Sequence, residues 1–496
     1  MILAITLLLS ASACSENPEQ NSESMTETSL SGESGDITVS ETETVPELLD
    51  ALPEDIDLEG TNVTFLLEEG MGGSGNYTEK SIWVEEDGGD SVDAAIFYRN
   101  IAVTDRLNAE ISIAKMVEHG QASGVARQAV NAGSDDYSVV GVYQYYGCDM
   151  ATTGMLFNLY NNEYIDVDKP YWDSDLIDST TYKNVRPWVT GDLALRYLGG
   201  MYAMFVNSIL WDGYYTGESI YDIVHEGNWT LDTLEKYANS VYEDKNGNGE
   251  RDADDTYGFV FYEDDQIDAF AAGSNVSCSG INEEGEPYIT VSSEHSINFI
   301  EKMIGNIRTM TGYYTYGGEN GENMTKLADS TAMFTSHRLN YAELYLRDMD
   351  DDFWIIPLPK YDNAQQEYIT RIHDALTLFG IPVSNKNPEA ASIMLEAMSS
   401  ESYRSVTPVY YETALKVKYA RDAESGKMID LIRENVICDF ASMYSESLMD
   451  INHVFRKFIE KDDRSYASYF QKCKKIWESG LAKLTDKILA MEDNEF

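Results

Sequence analysis

Between Asn62 and Tyr143 the chain alternates short apolar runs with amphipathic stretches, and this alternation restricts the fold more than any other feature. Asn62–Glu68, NVTFLLE, has the β-branched and aromatic content of a strand. Ser91–Glu110 places Ile96, Val103 and Leu107 on one helical face, and Ile111–Ala114 reads as a returning strand. Gly124–Ala132 reads as a helix, and Tyr137–Tyr143, YSVVGVY, as a fully buried strand. A β-α-β-α-β order predicts an α/β chain with a doubly wound sheet, whose strand ends line the ligand crevice. Residues just past the last of these strands, Tyr145 and Asp149 among them, are therefore expected at a crevice edge.

Lys169–Asp173 (KPYWD) and Arg186–Tyr202 (RPWVTGDLALRYLGGMY) follow, mixing aromatics with acids and turn residues. Any one of these rings is most simply explained as core. As a group, Tyr145, Asp149, Trp172, Trp188 and Tyr202, with Tyr410 further on, are the candidate ligand contacts. Gly70–Gly75 spells GxGxxG, but a dinucleotide site needs a helix beginning at those glycines. The following NYTEKSIWVEED reads as turn and strand, so a flexible loop is expected there.

A second informative stretch is Tyr221–Phe259, a helix feeding an acidic loop. Thr230 is placed to cap the helix, and Leu231, Leu234, Tyr237, Ala238 and Val241 recur at helical spacing. The loop offers Asp244, Asn246 and Asn248 at alternate positions, then Gly249, Glu250, Asp252 and Asp255. Oxygen ligands at positions one, three and five, Gly at six, a carbonyl at seven and a carboxylate at twelve form the pattern of a structural calcium loop. Asp255 is one methylene shorter than the usual Glu. The alternative is a solvated acidic turn.

The chain begins MILAITLLLSASAC, an apolar run too short to span a bilayer and read as a signal peptide ending at Cys14. Ala11–Cys14 resembles the lipobox of bacterial lipoproteins, in which that Cys receives lipid. Residues 15–56, rich in Ser, Glu and Thr, read as a disordered acidic tether reaching about 35 Å. With 86 acidic against 35 basic residues the formal net charge is −51, so nucleic acid and anionic lipid surfaces are poor partners. Cys148, Cys278, Cys438 and Cys473 show no CxxC or zinc spacing. The six His are scattered, and neither GxSxG nor HExxH occurs, so no nucleophile or metal motif marks an enzyme.

Several motifs in order carry a family resemblance: TGDLAL with MYAMFVNSIL, NWTLDTLEKYA, DKNGNGERDADDTYGF, DFWIIPLPKYD, LFGIPVSNKNPEAASIMLEAM and SYRSVTPVYYETALKVKY. Together they resemble the extracellular solute-binding proteins of ABC importers, in particular the carbohydrate-binding lipoproteins of Gram-positive bacteria. The resemblance implies a two-lobed, type II periplasmic-binding-protein-like fold joined by crossing hinge segments. It implies a lipid-anchored receptor facing the outside, one small-molecule ligand in the cleft, importer membrane subunits as partners, and no catalysis. Residues 57–165 and about 375–423 are expected to form lobe one, and residues 166–374 and 424–496 lobe two. Carbohydrate is the expected ligand. A peptide or polyamine in the same fold, or a two-carboxylate glycoside hydrolase, are the alternatives.

Overall fold

The structure is a computed structural model that describes residues 50–69, 77–87, 89–305, 307–316, 321–411 and 423–496. The signal segment with Cys14, most of the expected tether and the Gly70–Gly75 loop lie outside the described residues. The described strands are β1 (Thr61–Glu68), β2 (Ala109–Val117), β3 (Val139–Tyr143), β4 (Tyr202–Asn207), β5 (Tyr242–Glu243) and β6 (Thr256–Tyr262). They continue with β7 (Ser279–Ile281), β8 (Pro287–Ile289), β9 (Tyr313–Tyr316), β10 (Ala332–Arg338), β11 (Phe353–Ile356) and β12 (Thr377–Gly380).

The first sheet has the order β12-β3-β1-β2. Its core is the predicted alternation: β1 pairs in parallel with both β2 and β3, and helices Ser91–Leu107 and Ala122–Ala132 make the crossovers. All five residues of β3 are buried, as expected of a parallel strand covered on both faces. The second sheet runs β11-β4-β10-β6-β5, with β9 added beside β6. It mixes parallel pairs (β10 with β6, β6 with β9) and antiparallel pairs (β10 with β4, β11 with β4). Helix Leu231–Ala238 backs it, capped by the Thr230 hydroxyl accepting from the Thr233 N–H at 3.2 Å. Gly258 and Gly312 let two strands cross the end of that helix. A Cβ on either would stand 1.9 Å from the Ala238 carbonyl oxygen.

After the second sheet the chain returns to the first as β12, antiparallel to β3 with Thr377 opposite Tyr143. Helix Pro388–Glu401 follows, started by Asn387, whose side chain accepts from the Ala390 N–H at 3.2 Å.

Two expectations need correction. Tyr77–Ile82 is a helix, not a turn and strand. Six residues are too few for a helical period to be told from alternation. Within residues 166–199, expected in lobe two, Pro187–Thr190 packs on the first sheet instead. Val189 bridges Phe379 of β12, and the Thr190 hydroxyl donates to the Thr377 carbonyl at 2.9 Å. The outer edge of β12 is otherwise unpaired, and this segment covers it.

The chain passes between the sheets along three adjacent segments. Met201 bridges Ile372 antiparallel, through Tyr202 N–H to the Arg371 carbonyl at 3.0 Å and His373 N–H to the Gly200 carbonyl at 2.9 Å. Thr370 bridges Val436 in parallel on the other side. These paired passes form the hinge. Gly200 is required in it, because a Cβ there would lie 2.4 Å from the Arg196 carbonyl oxygen.

Candidate ligand cleft

On the first sheet, the short helix Gln144–Gly147 springs directly from the end of β3. It carries Tyr145 and Tyr146, whose rings meet edge to face at 4.8 Å, and His119 lies 5.4 Å from Tyr146. Tyr145 is placed as expected at a strand end, and its partners come from far along the chain. Its hydroxyl donates to Asp450 at 2.8 Å, its ring stacks on His453 at 5.3 Å, and its N–H donates to the Asp374 carbonyl at 3.2 Å.

On the second sheet, the end of β10 and helix Asn340–Tyr345 carry a column of near-parallel rings. Tyr202 lies 6.5 Å from His337, His337 lies 3.4 Å from Tyr341, and Tyr341 lies 5.5 Å from Tyr345. Arg338 donates to the Tyr341 hydroxyl at 2.6 Å with its guanidinium over the ring. The column grades outward from buried Tyr202 to half-buried Tyr345.

Between the two aromatic groups lies a network of ionisable side chains on the hinge. His373 approaches Asp265 and Asp374, each at 3.3 Å, and His453 approaches Asp374 at 3.2 Å. Arg456 pairs with Asp264 and Asp268, and Arg371 stands 3.9 Å from Asp268. Burial opposes the ionised form of Asp374, but His373, His453 and Arg371 prevail and hold its pKa well below the usual range. Asp265 is likewise held low against its burial, by His373 and Arg338 above all. Burial and the Arg338 charge keep His337 well below an ordinary histidine, so the ring column is neutral at pH 7. Motif reading missed Tyr341, Tyr345, His453 and the Asp374 network, whose members are scattered along the chain. The one available signal was that Tyr341 follows a buried strand, as Tyr145 does.

Of the remaining sequence candidates, Tyr202 forms the base of the ring column and Tyr410 lines a small cavity with Arg338 and His373, whereas Asp149, Trp188 and Trp172 lie outside this cluster. Asp149 accepts from the Ser447 hydroxyl at 2.5 Å, and burial pushes its pKa up to about 6. Trp188 is fully buried against Gly380, and its indole N–H donates to the Cys148 carbonyl at 3.2 Å. It has no face left for a ligand, which corrects its assignment to the cleft. Trp172 donates to Glu396 at 2.8 Å and lines a different groove of about 420 Å³ with Tyr197, Tyr403 and Arg433. Burial raises the Glu396 pKa to about 7. Tyr202 is buried at the base of the ring column. Tyr410 is buried with its hydroxyl against Gly199 of the hinge.

The loop Asp244–Asp255 closes on itself. Asp244 accepts from the N–H groups of Gly247 and Gly249 at 2.7 and 2.8 Å. The Asn246 and Asn248 amides donate to Asp252 at 3.2 and 2.7 Å. Asp255, fully buried, accepts from the Lys245 and Asp252 N–H groups and the Tyr242 hydroxyl. Gly249 takes φ 76°, the left-handed turn that the loop pattern demands. Among the described residues, no three His, Cys, Asp or Glu side chains meet closely enough to count as a metal centre. The oxygens that this loop offers are a mixture of carboxylate, amide and carbonyl.

No protein-family model and no curated protein matches this sequence. Solved structures do match. An ABC transporter solute-binding protein from Thermotoga lettingae, bound with α-D-tagatose, is 10% identical with a TM-score of 0.54, covering 85% of this chain and 100% of that one. UspC of M. tuberculosis is 14% identical with a TM-score of 0.54, covering 84% and 100%. The GacH receptor of Streptomyces glaucescens, solved unliganded and with acarbose, is 13% identical with a TM-score of 0.51, covering 88% and 100%. The two sheets, the three-pass hinge and these likenesses give the chain the fold of the two-lobed, type II solute-binding proteins of ABC transporters.

Proposed function

We propose that this protein is a non-catalytic receptor that takes a carbohydrate between Tyr145–Tyr146 on the first sheet and the Tyr341–Tyr345 end of the ring column on the second. The observation that carries this reading is the pair of aromatic groups at strand ends on either side of the hinge, with charged hydrogen-bonding side chains between them. Rings can cover the two faces of a sugar, and carboxylates and guanidinium groups can take its hydroxyls. The tagatose and acarbose complexes of the structural neighbours support the same class of ligand.

A thermal-shift panel of maltotetraose, mannotriose, tagatose, spermidine and a peptide mixture tests the reading, since a ligand of the native state raises its melting temperature. At least one sugar is expected to do so. Tyr145→Ala is expected to weaken that sugar by about 1–3 kcal/mol, roughly 5- to 150-fold in Kd by calorimetry. A shift with spermidine or peptides and none with sugars would replace the sugar by a cationic or peptidic ligand. Release of shorter sugars by the pure protein would make it a hydrolase.

Anchoring at Cys14 and delivery to importer membrane subunits complete the reading. The support for anchoring is the lipobox-like Ala11–Cys14 run, and among the described residues no helix is long and apolar enough to cross a membrane. Cys14→Ser is expected to move the protein from the membrane fraction into the medium. Unchanged fractionation would exclude the lipid anchor.

The loop is proposed to hold one structural calcium ion through Asp244, Asn246, Asn248, the Glu250 carbonyl, Asp252 and Asp255. Its support is the ligand spacing and the Gly249 turn. Millimolar calcium is expected to raise the melting temperature over that in chelator, with magnesium doing less, and Asp244→Ala should remove the difference. Identical melting in calcium and chelator would leave only an acidic turn.

A further inference from the structure

The C-terminal helix Tyr466–Leu489 carries a basic stripe on a chain whose net charge is −51. Lys475, Lys483 and Lys487 rim a groove of about 530 Å³. All three are exposed, and among the described residues none makes an ion pair, whereas neighbouring Lys474 faces Glu478 at 3.8 Å. No carboxylate is among its described lining residues, while Asp149, which accepts from the lining Ser447 hydroxyl, feels the Lys487 charge from behind that wall. Its floor is apolar: Leu448 and Leu484 are buried in it, and Met449 and Ile476 stand at its sides with 53% and 50% exposure. Trp477, 1% exposed, also lines it, and its buried indole N–H has no acceptor. Thr152, from the segment that follows β3, closes the far wall.

We propose that this groove docks an acidic segment of a partner protein, one with carboxylates along one edge and large apolar side chains along the other. Charge selects the acid. Three ammonium groups with no ion pair among the described residues, of which Lys487 feels the charge of Asp149, give a local minimum for negative groups on an otherwise acidic chain. Length selects a segment over a single small anion. Lys475 and Lys487 are twelve residues apart on one helix, about 18 Å along its axis, so one phosphate-sized ion cannot meet both ends. The apolar floor and the exposed Met449 and Ile476 select a polypeptide with hydrophobic anchors, as in helix-in-groove recognition. Concavity argues against a bilayer surface, which is flat and, if anionic, repelled by the rest of the chain. The unpaired Trp477 N–H supplies one directional donor for a carboxylate or a backbone carbonyl of the occupant. This surface is independent of the proposed sugar cleft and shares no lining residue with its two aromatic groups.

The test uses the full chain and a short fluorescent amphipathic peptide with Glu along one edge and Leu along the other. A twin peptide with Lys for Glu, and phosphatidylglycerol vesicles, are the comparison arms. The acidic peptide is expected to bind, to weaken with added salt, and to lose at least about tenfold in affinity in the K475E/K483E/K487E variant. Ile476→Asp, which leaves every lysine in place, is expected to weaken it as well. All four substitutions sit at exposed positions, and an unchanged melting temperature and unchanged sugar binding in the cleft would show both variants folded. Equal binding of the Lys twin, or acidic-peptide binding untouched by the lysine reversals, overturns the proposal. Loss of vesicle binding in the variant without any peptide binding overturns it in favour of a membrane contact.

Discussion

Asp268→Ala is expected to lower the unfolding free energy by about 3–5 kcal/mol, read from urea unfolding followed by circular dichroism. Asp268 is 1% exposed and is the shared counter-ion of the hinge network. Arg456 pairs with it directly, and Arg371 and His453 each stand 3.9 Å away. Removing the carboxylate leaves Arg456 with Asp264 alone and Arg371 with only the Asp374 charge, both guanidinium groups having little access to water, which costs more than the loss of an attraction. The exposed pair Lys474–Glu478 provides the contrast: its removal is expected to change stability by less than about 1 kcal/mol. A total stability of ordinary size, about 5–15 kcal/mol, would lose a large share of itself through the one substitution. The same variant should bind sugar poorly even below its melting range, because His453 positions Tyr145 and is itself held between Asp268 and Asp374. Wild-type stability in Asp268→Ala would mean that this network contributes nothing net to the folded state.

Trp188→Ala is expected to cost a similar amount, about 3–5 kcal/mol, and to act entirely on stability. The ring is 0% exposed, packs on Gly380 of β12, and its N–H is satisfied by the Cys148 carbonyl. Truncation leaves a cavity against an edge strand and removes the partner of a buried carbonyl. Affinity for the cleft ligand, measured on the fraction that remains folded, is expected to stay within about twofold of the parent, since a change under roughly 0.4 kcal/mol is what distance from the site predicts. Tyr145→Ala should show the opposite split, with affinity lost and little change in melting. Reversal of these two patterns would place Trp188 in the cleft and Tyr145 in the core.

What the sequence determined by itself was whatever depends on neighbours a few residues apart. The order of strands β1, β2 and β3 with their crossover helices follows from period and composition, because a strand covered on both faces must be apolar throughout and a surface helix must repeat every three to four residues. The cap at Thr230 was legible because a side-chain oxygen reaches only two or three residues along the chain. Tyr145 was legible because it follows a buried strand. Tertiary structure alone decided what that ring would meet. Its partner Asp450 is 305 residues away, His453 meets Asp374 across 79 residues, and Arg456 meets Asp268 across 188. Such meetings depend on three chain passes lying side by side at the hinge, which no local period encodes. The same holds for Trp188 and Tyr145, which offer similar aromatic surface to water or to a core. Only the return of β12 onto β3 decides that one ring is enclosed and the other stands at the edge of the cleft. Burial is a property of what arrives from elsewhere in the chain, and for this protein it separates the residues that hold the fold from those proposed to hold the ligand.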